Sequence, residues 1–119
     1  NCSNDLDWKF IATVKKSVED NMDNSSFNVD VLCNLLNMSR TSFYNKIKAL
    51  TDQAPADYIR LIRLKHAAQL LKEQKHTITE ISEMTGFSDA KYFREVFKKH
   101  FNMSPSQYAK KGKDDKEIK

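Results

Sequence analysis

The chain repeats itself, and this repetition limits its fold more than any other feature. Val29, Asp30, Val31 and Leu32 align with Ile78, Thr79, Glu80 and Ile81 at an offset of 49 residues. Leu35, Met38 and Ser39 align with Met84, Phe87 and Ser88 at the same offset. Further on, Phe43, Lys48, Pro55 and Tyr58 meet identical residues, Phe93, Lys98, Pro105 and Tyr108, 50 positions later. One residue is therefore inserted just after the serine. Both prolines of the chain occupy the same place in two copies of one unit of about 30 residues.

Each copy reads as helix, short turn, helix. In the first, spanning 28–51, Val29, Leu32, Leu35 and Leu36 form an apolar stripe at helical spacing. Asn37-Met38-Ser39 interrupts it, and the Ser39 hydroxyl is a good N-cap for the helix that follows. That second helix, from Arg40 to Leu50, turns Phe43, Ile47 and Leu50 inward and leaves Arg40, Thr41, Tyr44, Asn45 and Lys48 on its other face. In the second copy, 77–101, Thr77-x-x-Glu80 is a capping box, with Ile78, Ile81 and Met84 inward behind it. Gly86-Phe87-Ser88 is the turn. Gly86 can take the left-handed conformation that ends a helix. The helix after it buries Phe93, Val96 and Phe97 and exposes Lys91, Arg94, Glu95, Lys98 and Lys99. A tight turn between two amphipathic helices is the helix-turn-helix arrangement, in which the first helix braces the second for a DNA major groove. One such pattern is weak evidence; two with matching polar faces are strong.

Between the copies, residues 55–73 contain no breaker after Pro55, which suits the first position of a helix. Tyr58, Ile59, Leu61, Ile62, Leu64, Ala67, Ala68, Leu70 and Leu71 cover most of its circumference, so a buried connector helix is expected. Its length of roughly 27 Å suits two recognition helices held near one DNA turn apart. Upstream, residues 1–26 hold an accessory helix with Leu6, Phe10, Ile11, Val14, Val18 and Met22 on one side, followed by a polar loop. Trp8 is expected to pack against that helix's neighbours. Residues 110–119 lack an apolar pattern and are expected to form a flexible basic tail. The first residue is not methionine, which suggests a piece of a longer protein.

Composition agrees with an all-α domain. Two glycines and two prolines in 119 residues give little turn chemistry for many strands, and 39% apolar with 30% charged residues suits a folded chain. The net charge of +4 is unevenly placed. Residues 1–28 carry 3 basic and 5 acidic groups, residues 29–73 carry 7 and 4, and residues 74–119 carry 10 and 7. An acidic leader before two basic segments hints at a polyanion, although a solvated lysine-rich surface would look the same. No secretory signal or membrane-spanning run is present, and Cys2 and Cys33 make no disulfide framework, which points to the cytoplasm. His66, His76 and His100 share no metal-ligand spacing with either cysteine, so no metal or other cofactor is expected. No phosphate loop, carboxylate pair or nucleophile elbow appears, and no enzyme is expected.

The segments Leu35-x-x-Met38-Ser39-Arg40-x-x-Phe43-Tyr44-x-Lys46-x-Lys48-Ala49-Leu50-Thr51 and Gly86-Phe87-Ser88-Asp89-x-x-Tyr92-Phe93-x-x-x-Phe97-Lys98-Lys99-x-Phe101-x-x-Ser104-Pro105 resemble the AraC/XylS family of bacterial transcription regulators. The connector Arg63-Leu64-x-x-Ala67-x-x-Leu70-Leu71 matches that family's linker helix, and the resemblance covers residues 27–109. The accessory helix and Asp23-x-x-x-Phe27-x-Val29 resemble the output domain of Bacteroidetes hybrid two-component regulators, whose parent chain is anchored in the inner membrane. Two positions depart from the pattern: Asn37 stands where glycine is common, and Ala54 where a capping serine is usual.

The resemblance implies that Arg40, Thr41, Tyr44 and Asn45 read bases in the first unit, and Lys91, Arg94 and Glu95 in the second. Asn45 would pair with adenine, Arg40 with guanine or phosphate, and Glu95 with cytosine N4. Ser39, Lys48, Ser88, Lys98 and Lys99 would hold phosphates, setting affinity rather than sequence preference. The expected function is sequence-specific binding of double-stranded promoter DNA for transcriptional regulation, by activation. RNA polymerase is an expected partner, with dimerisation in the full-length protein and no direct membrane contact by this domain. The alternative is a helical protein-interaction or dimerisation module, which requires an exposed apolar patch instead of two polar faces.

Overall fold

A computed structural model describes residues 5–118. Among these residues there are seven helices and no strand: α1 (Asp5–Asp20), α2 (Val29–Leu35), α3 (Arg40–Thr51), α4 (Pro55–Glu73), α5 (Ile78–Met84), α6 (Ala90–Phe101) and α7 (Pro105–Ile118). They fall into two compact units that divide within α4, after Arg63. The first unit holds α1, α2, α3 and the start of α4. The second holds the rest of α4 with α5, α6, α7 and the short loop 23–25. Among the described residues, no helix is long and apolar enough to cross a membrane.

The duplication is visible in the backbone. Helices α2 and α5 are seven residues each, and α3 and α6 are twelve each. Asp52 and Asn102 end α3 and α6 with left-handed φ/ψ of 60°/20° and 61°/22°. Their backbone N–H groups donate to the Lys48 and Lys98 carbonyls at 2.9 and 2.8 Å. The left-handed region is open to Asn and Asp at modest cost, so neither stop needs glycine. The two turns use the same device: Asn37 has φ 54° and Gly86 φ 81°.

In the first unit, α1 contributes Ile11, Val14 and Val18 to a core completed by Met22, Phe27, Leu32, Cys33, Phe43, Ile47, Tyr58 and Ile59. The Asn28 side chain accepts from the Val31 N–H at 3.1 Å and starts α2. Ser39 starts α3 by accepting from the Ser42 N–H, also at 3.1 Å. Three apolar residues expected to pack are exposed. Leu35 is 58% exposed, because the inward stripe of α2 runs through Val29, Leu32, Cys33 and Leu36, leaving Leu35 a step around the helix. Leu6 is exposed too, since the inward stripe of α1 begins a turn later at Phe10 and Ile11. Trp8 is 63% exposed and is not the packing residue its size suggested.

The core of the second unit joins Leu64, Ala67, Ala68, Leu70 and Leu71 of α4 to Ile81, Phe87, Phe93 and Phe97. It is more aromatic than the first. Phe97 lies 5.7 Å from Phe93, 4.4 Å from Phe101 and 5.4 Å from Tyr108, between ring centroids. Ser82 and Thr85 are buried where the first copy has Cys33 and Leu36. Their hydroxyls donate back along α5, to the Thr79 and Ile81 carbonyls at 2.7 Å each, so the polar groups are buried with partners. Ser104 and Gln107 form a reciprocal cap on α7, whereas Ala54 has no side chain able to do this for α4. Helical backbone continues in α7 to Ile118, across most of the segment expected to be a flexible basic tail. The reciprocal cap starts it, and four lysines, good helix formers, lie within it although it has no apolar periodicity.

The capping box at Thr77 and Glu80 makes a pH prediction. The Glu80 carboxylate accepts from the Thr77 backbone N–H at 2.7 Å, and this bond holds its pKa below the ordinary glutamate value. A depressed folded pKa contributes stability that is fully present above the ordinary unfolded value and is lost as pH falls through the lower folded one. Thermal unfolding followed from pH 6 downward should therefore show a decline that Glu80→Gln flattens. A variant whose stability follows the parent at every acid pH would rule this contribution out.

Candidate nucleic-acid interface

Helices α3 and α6 carry the same alternation of buried and exposed positions at an offset of 50. Phe43 and Ile47 are buried, as are Phe93 and Phe97. Thr41, Tyr44, Asn45 and Lys48 are exposed on α3, and their counterparts Lys91, Arg94, Glu95 and Lys98 are exposed on α6. At about 100° per residue, each set spans one continuous stripe opposite the core. Lys99 extends the second stripe where the first has Ala49. Each helix thus presents a polar ridge held from behind by large buried apolar side chains, the geometry a major-groove reader requires.

Several neighbouring side chains have local duties. Ser39 accepts the α3 cap bond through a lone pair, which leaves its O–H as a donor. Ser88 does not hold the equivalent place. The residue inserted in the second copy is Asp89, which caps α6 by accepting from the Lys91 N–H at 2.9 Å, and Ser88 stands exposed just before it. Lys48 Nζ lies 3.4 Å from the Asp52 carbonyl, at the end of its own helix. Lys46 Nζ sits 4.6 Å from the centre of the Phe10 ring, which also meets Phe43 edge-on at 6.1 Å. That cation is turned to α1 and away from the polar stripe.

Arg40 has a partner that sequence reasoning did not supply. Its Nη1 is 2.8 Å from Asp30 Oδ1, an ion pair from the start of α3 to the first turn of α2. Tyr92 was also overlooked. It is exposed on α6 beside the stripe, with its ring 6.2 Å from Phe87. Its register with exposed Ser42 was the available signal, and its aromatic character hid it.

Paired helices, a turn set by a left-handed residue, and an exposed polar ridge on the second helix, built twice, define a DNA-binding helix-turn-helix protein. The helix-turn-helix domain family matches residues 32–111, and the chain belongs to its AraC-type branch, whose members bind specific double-stranded DNA to regulate transcription. Histidine kinase P4 of Formosa agariphila is 47% identical over 103 residues, which cover 87% of this chain and 8% of that protein. The chain therefore spans a small part of that relative. The C-terminal domain of the two-component response regulator yesN from Fusobacterium nucleatum superposes with a TM-score of 0.77 at 28% identity, covering 85% of this chain and 98% of that one. The DNA-binding domain of the global transcriptional factor AdpA, solved in complex with a target DNA, does so with a TM-score of 0.76 at 26% identity, covering 82% and 87%.

Proposed function

We propose that α3 and α6 read two successive major-groove segments of promoter DNA. Thr41, Tyr44 and Asn45, with Arg40 beside them, contact bases in one segment, and Lys91, Arg94 and Glu95 contact bases in the other. Ser39, Lys48, Ser88, Lys98 and Lys99 hold phosphates. The observation that carries this reading is the matched exposed stripe on two twelve-residue helices. The domain acts by binding alone, in the cytoplasm, as the output of a longer sensory chain anchored in the inner membrane. The match to a small part of a histidine kinase supports that placement. Binding recruits RNA polymerase to activate transcription, and the full-length chains pair on tandem sites.

Selection of bound sequences from a random duplex pool at moderate salt tests the division of labour. Two short conserved blocks about 10 bp apart are expected, one for each recognition helix. A single block would mean that one unit grips only phosphate. No enrichment under salt that excludes nonspecific binding would favour a protein-interaction module instead.

A further inference from the structure

We propose that Asp30 is a specificity-determining residue of the first helix-turn-helix, because it occupies Arg40 and withholds it from DNA phosphate. The proposal rests on the assignment of α3 to the groove. Arg40 is the first residue of α3, at the leading end of the polar stripe, and its guanidinium meets the Asp30 carboxylate at 2.8 Å. Both side chains are largely exposed, at 71% and 61%, so the pair lies in reach of a duplex seated on α3. At the corresponding positions of the second unit no such pair can form. Thr79 and Ala90 stand there, and neither side chain carries charge.

The magnitudes explain what the pair does. An exposed ion pair changes an equilibrium by up to about fivefold. A bidentate arginine–guanine contact discriminates by about 5- to 150-fold. Breaking the pair costs the same on any duplex, so selectivity comes from keeping it on the correct one. Asp30 meets Nη1, and a guanine can be read by the remaining guanidinium N–H groups with the pair kept, whereas an Arg40 that swings to a phosphate must give the pair up. Asp30 lowers nonspecific binding more than specific binding, and the ratio of the two rises.

The test uses the whole 119-residue chain. Dissociation constants are measured at several salt concentrations for the duplex recovered from the random pool and for a scrambled duplex of equal length. Asp30→Asn is expected to bind the scrambled duplex about 3- to 5-fold more tightly, with a salt slope steeper by about 0.9, the signature of one added phosphate contact. The selected duplex should change by less than about twofold. With Arg40→Ala as the background, the same Asp30 substitution should lose most of its effect, since the released cation is missing. The proposal is overturned by an unchanged scrambled-duplex affinity, by equal gains on both duplexes, or by a full gain without Arg40. A parent chain that does not prefer the selected duplex would overturn the base-reading assignment and the proposal together. A parent that prefers it, with Asp30→Asn unchanged, overturns the proposal alone.

Discussion

Arg63→Ala is expected to lower the stability of the first unit by about 2–4 kcal/mol, with a fall in melting temperature of roughly 10 °C. Arg63 is only 5% exposed. Its Nη1 donates to the Met22 carbonyl at 2.7 Å and its Nη2 to the Phe27 carbonyl at 3.2 Å. These carbonyls flank the loop between α1 and α2, so one guanidinium fixes where the chain leaves one helix and approaches the next. Burial pulls the Arg63 pKa below its ordinary value. The group stays charged, because an arginine begins so far above neutral pH. Alanine removes two charge-assisted bonds, each worth about 1.5–3 kcal/mol, and the relaxation of the loop into water recovers part of that loss. Lysine should fall between, since a single ammonium cannot reproduce the two-pronged geometry. Denaturant unfolding of the three proteins checks this ordering. A loss below about 0.5 kcal/mol for alanine would show that the loop is held by other contacts.

Asn45→Ala should cost about 1–3 kcal/mol of affinity for the selected duplex and relax the preference at one adenine. The asparagine amide is exposed at the middle of the α3 stripe, and alanine at that place keeps the helix while removing both of its hydrogen-bonding groups. Lys98→Ala is the contrasting change. Lys98 lies in the last turn of α6, and its loss should weaken all duplexes alike while reducing the salt slope by about 0.9. Binding profiles over single-base variants of the site, repeated at three salt concentrations, separate the two effects. If both substitutions weakened every sequence equally, the split between base reading and phosphate holding would be wrong.

Much of the framework of this candidate interface was legible because it is built from local signals. The buried Phe43/Ile47 and Phe93/Phe97 pairs follow from helical spacing, and a polar ridge opposite them follows from the same spacing. Ser39 and the Thr77/Glu80 box were legible as caps because a cap and its partner lie three residues apart. The inserted residue was detectable as a shift from 49 to 50, yet its consequence was not. Asp89 takes over the capping role, and Ser88 is left outside it. Leu35 was misplaced because two apolar stripes of α2 differ by one step, and only the surrounding core selects the one through Cys33 and Leu36.

By itself, then, the sequence determined the helical class, the duplication and the two exposed polar faces of α3 and α6. Periodicity, caps and breakers act within a few residues, and their outcome is written locally. The tertiary structure alone decided which partners Arg63 and Arg40 take. Arg63 reaches carbonyls 41 and 36 residues away, and Arg40 crosses a turn to Asp30. Such contacts depend on how the helices pack, because each long side chain could satisfy its charge in water, on phosphate or against another element. The folded backbone is what brings one of those choices within hydrogen-bonding distance.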